Sequence, residues 1–176
     1  MLPGAVAGVG AAWLLAAHFS DAVILLVVGL IGLAFVLYVW FGPSPTQKRP
    51  PPRASHGVFW GALAAFTSTL IQIGAPPYYV FVLPQRLEKM VYVSTTCWFF
   101  AAVNAMKVAP YFALGQFSAA GLATTLVLIP LAVASNFLGI WLVRITPHEL
   151  FYRITYVVVL LLSLELTRRG VMGLIK

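Results

Sequence analysis

Apolar residues in this chain fall into long, nearly unbroken runs, and polar residues collect in the gaps between them. The runs cover roughly residues 2–17, 22–41, 57–84, 91–109, 118–143 and 148–168. Most are long enough for a helix that crosses a hydrocarbon core ~30 Å thick. The gaps carry helix-start signals. Ser20-Asp21 offers N-cap oxygens to the second run. Thr146-Pro147-His148-Glu149 reads as a capping box for the last, with Pro at the first helical position and Glu three residues after the cap. Residues 42–55 hold five prolines and three basic residues, which excludes helix and bilayer alike. They predict a cytoplasmic connector between two parts of the chain.

The third run contains the strongest local irregularity, Ile71-Gln72-Ile73-Gly74-Ala75-Pro76-Pro77. Gly74 suits the left-handed turn that closes a helix, and Pro76 or Pro77 suits the first turn of a new one. An unpaired backbone group inside a bilayer costs several kcal/mol, so such a break must be buried in protein or line a polar cavity. The broken segment has two courses open to it. If it crosses once, residues 42–55 and the C-terminus lie on the same side; if it is a re-entrant hairpin, they lie on opposite sides.

Composition makes the membrane setting firm. The chain is 61% hydrophobic and 9% charged, with a mean hydropathy of +0.96, so it lacks the polar surface of a water-soluble domain. The net charge of +7 then changes meaning. Lys48, Arg49, Arg53, Arg168, Arg169 and Lys176 sit between or after apolar runs, which fits lipid headgroups rather than nucleic acid. Membrane lipids are the expected partners. The run at residues 2–17 lacks the positive flank of a signal peptide and is followed at once by a second run, so it predicts a hairpin of spans.

Candidate chemistry clusters at the break. Thr67, Ser68, Thr69 and Gln72 precede it, and Gly74, Ala75, Pro76 and Pro77 form it. A half-helix starting near Pro76 points its free N–H groups and positive dipole end into the gap, where an anion is favoured. The structural alternative is a kinked span whose backbone is satisfied by neighbouring helices. In the next run Thr96, Asn104 and Lys107 have spacings that one helical face can hold. Against a binding role, Thr hydroxyls often bond their own helix, and a Lys near a segment end snorkels to the interface. Asn136 with Ser135 reads as glue between helices.

Other chemistries lack their residues. Asp21, Glu88, Glu149 and Glu165 avoid the middles of the runs, so no carboxylate proton relay is expected. Cys97 is alone, and His18, His56 and His148 are far apart near segment ends. No metal ligand set, cofactor motif, nucleophile–base pair or phosphate loop is seen, and an enzyme is not expected.

Residues 3–15 align with 130–142 at a constant offset, each followed by a polar turn and a Leu/Val-rich run. This suggests two related repeats of the kind common in transporters, the first incomplete. The expected division is 1–41 as the remnant of a first repeat, 42–55 as the linker, and 56–176 as the second repeat.

Gly57-x-x-x-Gly61, the Ile73-Gly74-Ala75-Pro76 break, Val93-Ser94-Thr95-Thr96, and Ala105 through Pro110-Tyr111 to Leu114-Gly115-Gln116-Phe117 follow one another in an order that resembles the sulfite exporter TauE/SafE family of membrane permeases. The resemblance is strongest over residues 56–117. It implies an all-α polytopic fold, no catalytic residues, and movement of small inorganic or organic anions such as sulfite or sulfoacetate across the bacterial cytoplasmic membrane. Ala75 stands where the family has a second glycine. The family also has about eight spans in two repeats, so the resemblance implies that this chain lacks the N-terminal part.

The expectation is therefore a multi-pass transmembrane helical protein with about six membrane segments, one of them broken. The expected function is secondary transport of a small anion bound by Thr69, Gln72, Gly74, Ala75, Pro76, Pro77, Thr96, Asn104 and Lys107. The alternative is a non-transporting accessory or assembly subunit, and a homo-oligomer stays open.

Overall fold

A computed structural model describes residues 1–15, 18, 20–41, 53–113, 115 and 118–175; most of the Pro-rich connector, at 42–52, lies outside them. Among the described residues the fold is all-helical. The helices are α1 (Leu2–Leu15), α2 (Asp21–Phe41), α3 (Ala54–Ile71), α4 (Ala75–Val82), α5 (Lys89–Ala113), α6 (Ala119–Ile145) and α7 (His148–Ile175), with a 3-10 turn at Leu83–Gln85 after α4. Long apolar helical stretches at Asp21–Phe41, Ala123–Ile145 and His148–Ile175 suffice to cross a membrane. The chain forms two compact units, residues 1–87 with 153–176, and residues 88–152.

In the first unit, glycines set the helix directions. A Cβ on Gly4 would stand 3.0 Å from Ala62 N, and one on Gly8 would stand 3.0 Å from Phe66 N. Both series ascend together, so α1 and α3 run parallel with their backbones touching, the contact that small-xxx-small spacing permits. Between α2 and α7 the series run oppositely. Gly29 meets Thr167, Gly32 meets Ser163, Leu26 meets Gly170, and Ala22 meets Gly173. These two helices are antiparallel along a seam of small residues. The C-terminus therefore leaves the fold at the end opposite the 42–52 connector.

The break turns α4 back along α3. Gly57, in the first turn of α3, has the ring of Phe81 near the end of α4 3.0 Å from where its Cβ would be. A continued helix would put these residues ~36 Å apart at 1.5 Å per residue. Of the two courses open to the broken segment, the structure takes the hairpin. Its tip packs by Leu70, Ile71 and Ile73 against a core of Ile24, Val28 and Leu166. Val28 lies ~20 Å along α2 from Phe41, so the tip sits deep, toward the end away from the connector.

Helix ends correct several expectations. Ser20 Oγ does cap α2, accepting from Val23 N at 3.4 Å. Thr146 does not cap α7: its N–H and its hydroxyl both donate to Leu142 O. The link to α7 is so short that Thr146 is taken up in closing α6, and no capping box forms. Helix α5 runs through Pro110 to Ala113 rather than stopping at 109, because one proline removes a single N–H and leaves the flanking turns bonded. In the second unit, Lys89 Nζ at the start of α5 donates to Val143 O (3.1 Å), Arg144 O (3.4 Å) and Thr146 O at the end of α6. That joins the two ends of an α5–α6 hairpin.

Candidate functional site

The break is built by the two prolines. Neither can donate to a carbonyl one turn back, so helix α3 cannot continue through them and a new helix must begin at Ala75. Gly74 becomes its N-cap with φ −103° and ψ −7°, an ordinary right-handed conformation. The left-handed residue is instead Gln72, at φ 58° and ψ 18°. Gly74 is committed to starting α4, so the reversal must come earlier, directly after Ile71. The expected glycine turn is thus a glutamine turn.

An α-helix normally leaves four unpaired N–H groups at its start. Here Pro76 and Pro77 have none, which leaves the Gly74 and Ala75 amides as the donors at the positive end of α4. Tyr78 N already closes the first turn on Gly74 O at 3.3 Å. Gly74, Pro76, Pro77 and Tyr78 are buried, Ala75 is half-buried and Gln72 is exposed. The start of α4 thus sits largely within protein, and the exposed Gln72 precedes its N-cap, Gly74, by two residues.

Hydroxyls flank the tip in a particular state. Thr67, Ser68 and Thr69 are all buried. Thr69 Oγ1 donates to Ala65 O at 2.8 Å, and Thr67 Oγ1 donates to Leu63 O at 3.0 Å. The protons of Thr67 and Thr69 are thus used within α3.

In the second unit, Thr96 is half-buried and Oγ1 donates to Tyr92 O at 2.8 Å. Tyr92, Phe99, Val103, Lys107 and Pro110 form the buried stripe of α5. Lys107 is 3% exposed, so it does not snorkel. Asn104 is exposed. At ~100° per residue Thr96, Asn104 and Lys107 fall within about 80° of one another around α5, with Lys107 at the buried centre of that arc and Asn104 at its exposed edge. The structure gathers Thr69, Gln72, Gly74, Ala75, Pro76 and Pro77 around one tip in the first unit; the other three belong to α5 of the second.

Among the described residues no group of His, Cys, Asp and Glu could hold a metal ion. Neither the curated proteins nor the solved structures contain a match to this chain. A family model for the sulfite exporter TauE/SafE matches residues 1–166. With nearly the whole chain matched, and apolar helices long enough to span a bilayer, this is a multi-pass membrane protein that belongs to the sulfite exporter TauE/SafE family.

Proposed function

We propose that the chain is a secondary transporter of a small sulfur-containing anion, sulfite or an organosulfonate, in the bacterial inner membrane, and that the anion binds at the α3–α4 break. The observation that carries this reading is the buried start of α4, where the Gly74 and Ala75 amides and the helix dipole favour negative charge away from water. Thr69, Gln72, Pro76 and Pro77 shape that place. Thr96, Asn104 and Lys107 are proposed as substrate-contacting side chains on α5, with Lys107 a buried cation that draws an anion out of water. Membrane lipids and the anion are the proposed partners, and the chemistry requires no cofactor.

Sulfite flux into proteoliposomes tests the proposal. Gly74→Leu places a side chain at the α4 N-cap and is expected to cut flux at least tenfold. Lys107→Gln is expected to do the same, with both variants still eluting as folded protein. Unchanged flux in both would refute the site.

A further inference from the structure

We propose that Ser163 of α7 is a substrate-binding residue whose hydroxyl donates a hydrogen bond to the anion held at the start of α4. This rests on the reading of the break given above.

Ser163 differs from the threonines whose hydroxyls are used within their own helices. Thr67, Thr69, Thr96, Thr125, Thr146 and Thr167 each donate to a carbonyl one turn back in their own helix. Ser163 is fully buried, and among the described residues its Oγ is the buried side-chain atom without a hydrogen-bond partner. A buried hydroxyl left unpaired is costly, and more so where lipid replaces water. Its position gives the cost a purpose. Ser163 faces Gly32 of α2, and a Cβ on Gly32 would overlap its Oγ while standing 3.4 Å from Pro76 Cβ. The hydroxyl therefore lies where α2, α7 and the first turn of α4 meet, and Gly32 leaves it room.

An oxyanion needs donors, and the break is short of them. The two prolines remove amides that a helix start would otherwise present. The protons of Thr67 and Thr69 are already used within α3. Ser163 retains a proton to give, from the helix that packs beside Gly32. A sulfur oxyanion with several terminal oxygens can accept from the Gly74 and Ala75 amides through one oxygen and from Ser163 through another. The serine stays neutral, and no covalent bond forms or breaks.

The test is calorimetric titration of the full chain in nanodiscs with sodium sulfite, alongside thermal melting without sulfite. Ser163→Ala is expected to weaken sulfite binding about tenfold or more. Its melting temperature without sulfite should be unchanged or raised, because an apolar group replaces an unpaired hydroxyl. Ser163→Cys keeps the size with a much poorer donor and should follow the alanine variant. Wild-type affinity in either variant overturns the assignment, as does a clear loss of sulfite-free stability in Ser163→Ala, which would mean that the hydroxyl is bonded within the protein. If the wild-type chain itself binds no sulfite, the reading of the break falls, and this inference with it.

Discussion

The ring of Phe81 lies against the Cα of Gly57, with Cζ 3.0 Å from the position of an added Cβ. That single contact ties the end of α4 to the beginning of α3 and turns the broken helix into a hairpin. Both residues sit near the connector end, and the start of α4 lies at the opposite, buried tip.

Labelling from each side of the membrane checks the hairpin. In a Cys97→Ala background, Arg53→Cys and Arg86→Cys are expected to react with an impermeant maleimide from the same side, and Ile175→Cys from the other. The side of Arg53 should be cytoplasmic. Of the described residues Arg53, Arg86 and Arg153 fall on it, against Arg168 and Arg169 opposite. Glu165 further offsets Arg168 and Arg169 through bonds of 2.8 and 2.6 Å. Labelling of Arg53→Cys and Arg86→Cys from opposite sides would mean that the broken helix crosses.

The Gly57–Phe81 contact predicts a compensating pair. Gly57→Ala pushes a methyl group toward the ring and should cost about 1–3 kcal/mol by overpacking. Phe81→Leu should lose burial when made alone, yet restore part of the stability when combined with Gly57→Ala. Chemical unfolding in detergent micelles, arranged as a double-mutant cycle, reads the coupling. Strictly additive losses would show that the two residues do not press on each other.

Local sequence carried the helical runs, the break and the Ser20 cap, because each depends on neighbours within one or two turns; of the six membrane segments expected, three are helices long and apolar enough to cross a bilayer among the described residues. The left-handed residue was not legible in the same way. Glycine preference pointed to Gly74, but the prolines two and three residues later decide the geometry and move the reversal to Gln72. The hairpin course needed a contact between residues 57 and 81 and a core drawn from α2, α3 and α7, none of which has a short-range signature. Lys107 was partly legible: Tyr92, Phe99, Val103 and Pro110 set a helical stripe, and Lys107 falls in its register. Ser163 left only a faint mark, one hydroxyl within a leucine run.

Lys89 predicts a loss confined to the second unit. Its ammonium reaches carbonyls of Val143, Arg144 and Thr146 at the C-terminal end of α6, where a positive charge also complements the helix dipole. Lys89→Met should cost about 1–3 kcal/mol, the range for charge-assisted hydrogen bonds to carbonyls that are then left unpaired. Hydrogen exchange should rise at the last turn of α6 and leave the α2–α7 seam unchanged. Equal exchange in the wild-type and variant chains would show that the ammonium does not hold that end.

The α2–α7 seam predicts how glycine replacements divide. A Cβ on Gly170 would stand 2.5 Å from Leu26 N, and one on Gly29 would stand 2.6 Å from Thr167 N. Both neighbours are backbone and cannot rotate aside, so Gly170→Ala and Gly29→Ala must part the helices. Each should cost about 1–3 kcal/mol or more. Gly139 of α6 meets nothing within 4 Å, so Gly139→Ala should gain up to ~1 kcal/mol from helix propensity. Parting the seam also moves Gly32 away from Ser163 and Pro76. Sulfite affinity should therefore fall in Gly29→Ala while remaining at the wild-type level in Gly139→Ala. Thermal melting and sulfite titration of the three variants read both effects, and a Gly29→Ala chain that melts and binds like wild type would show that this seam does not position the start of α4.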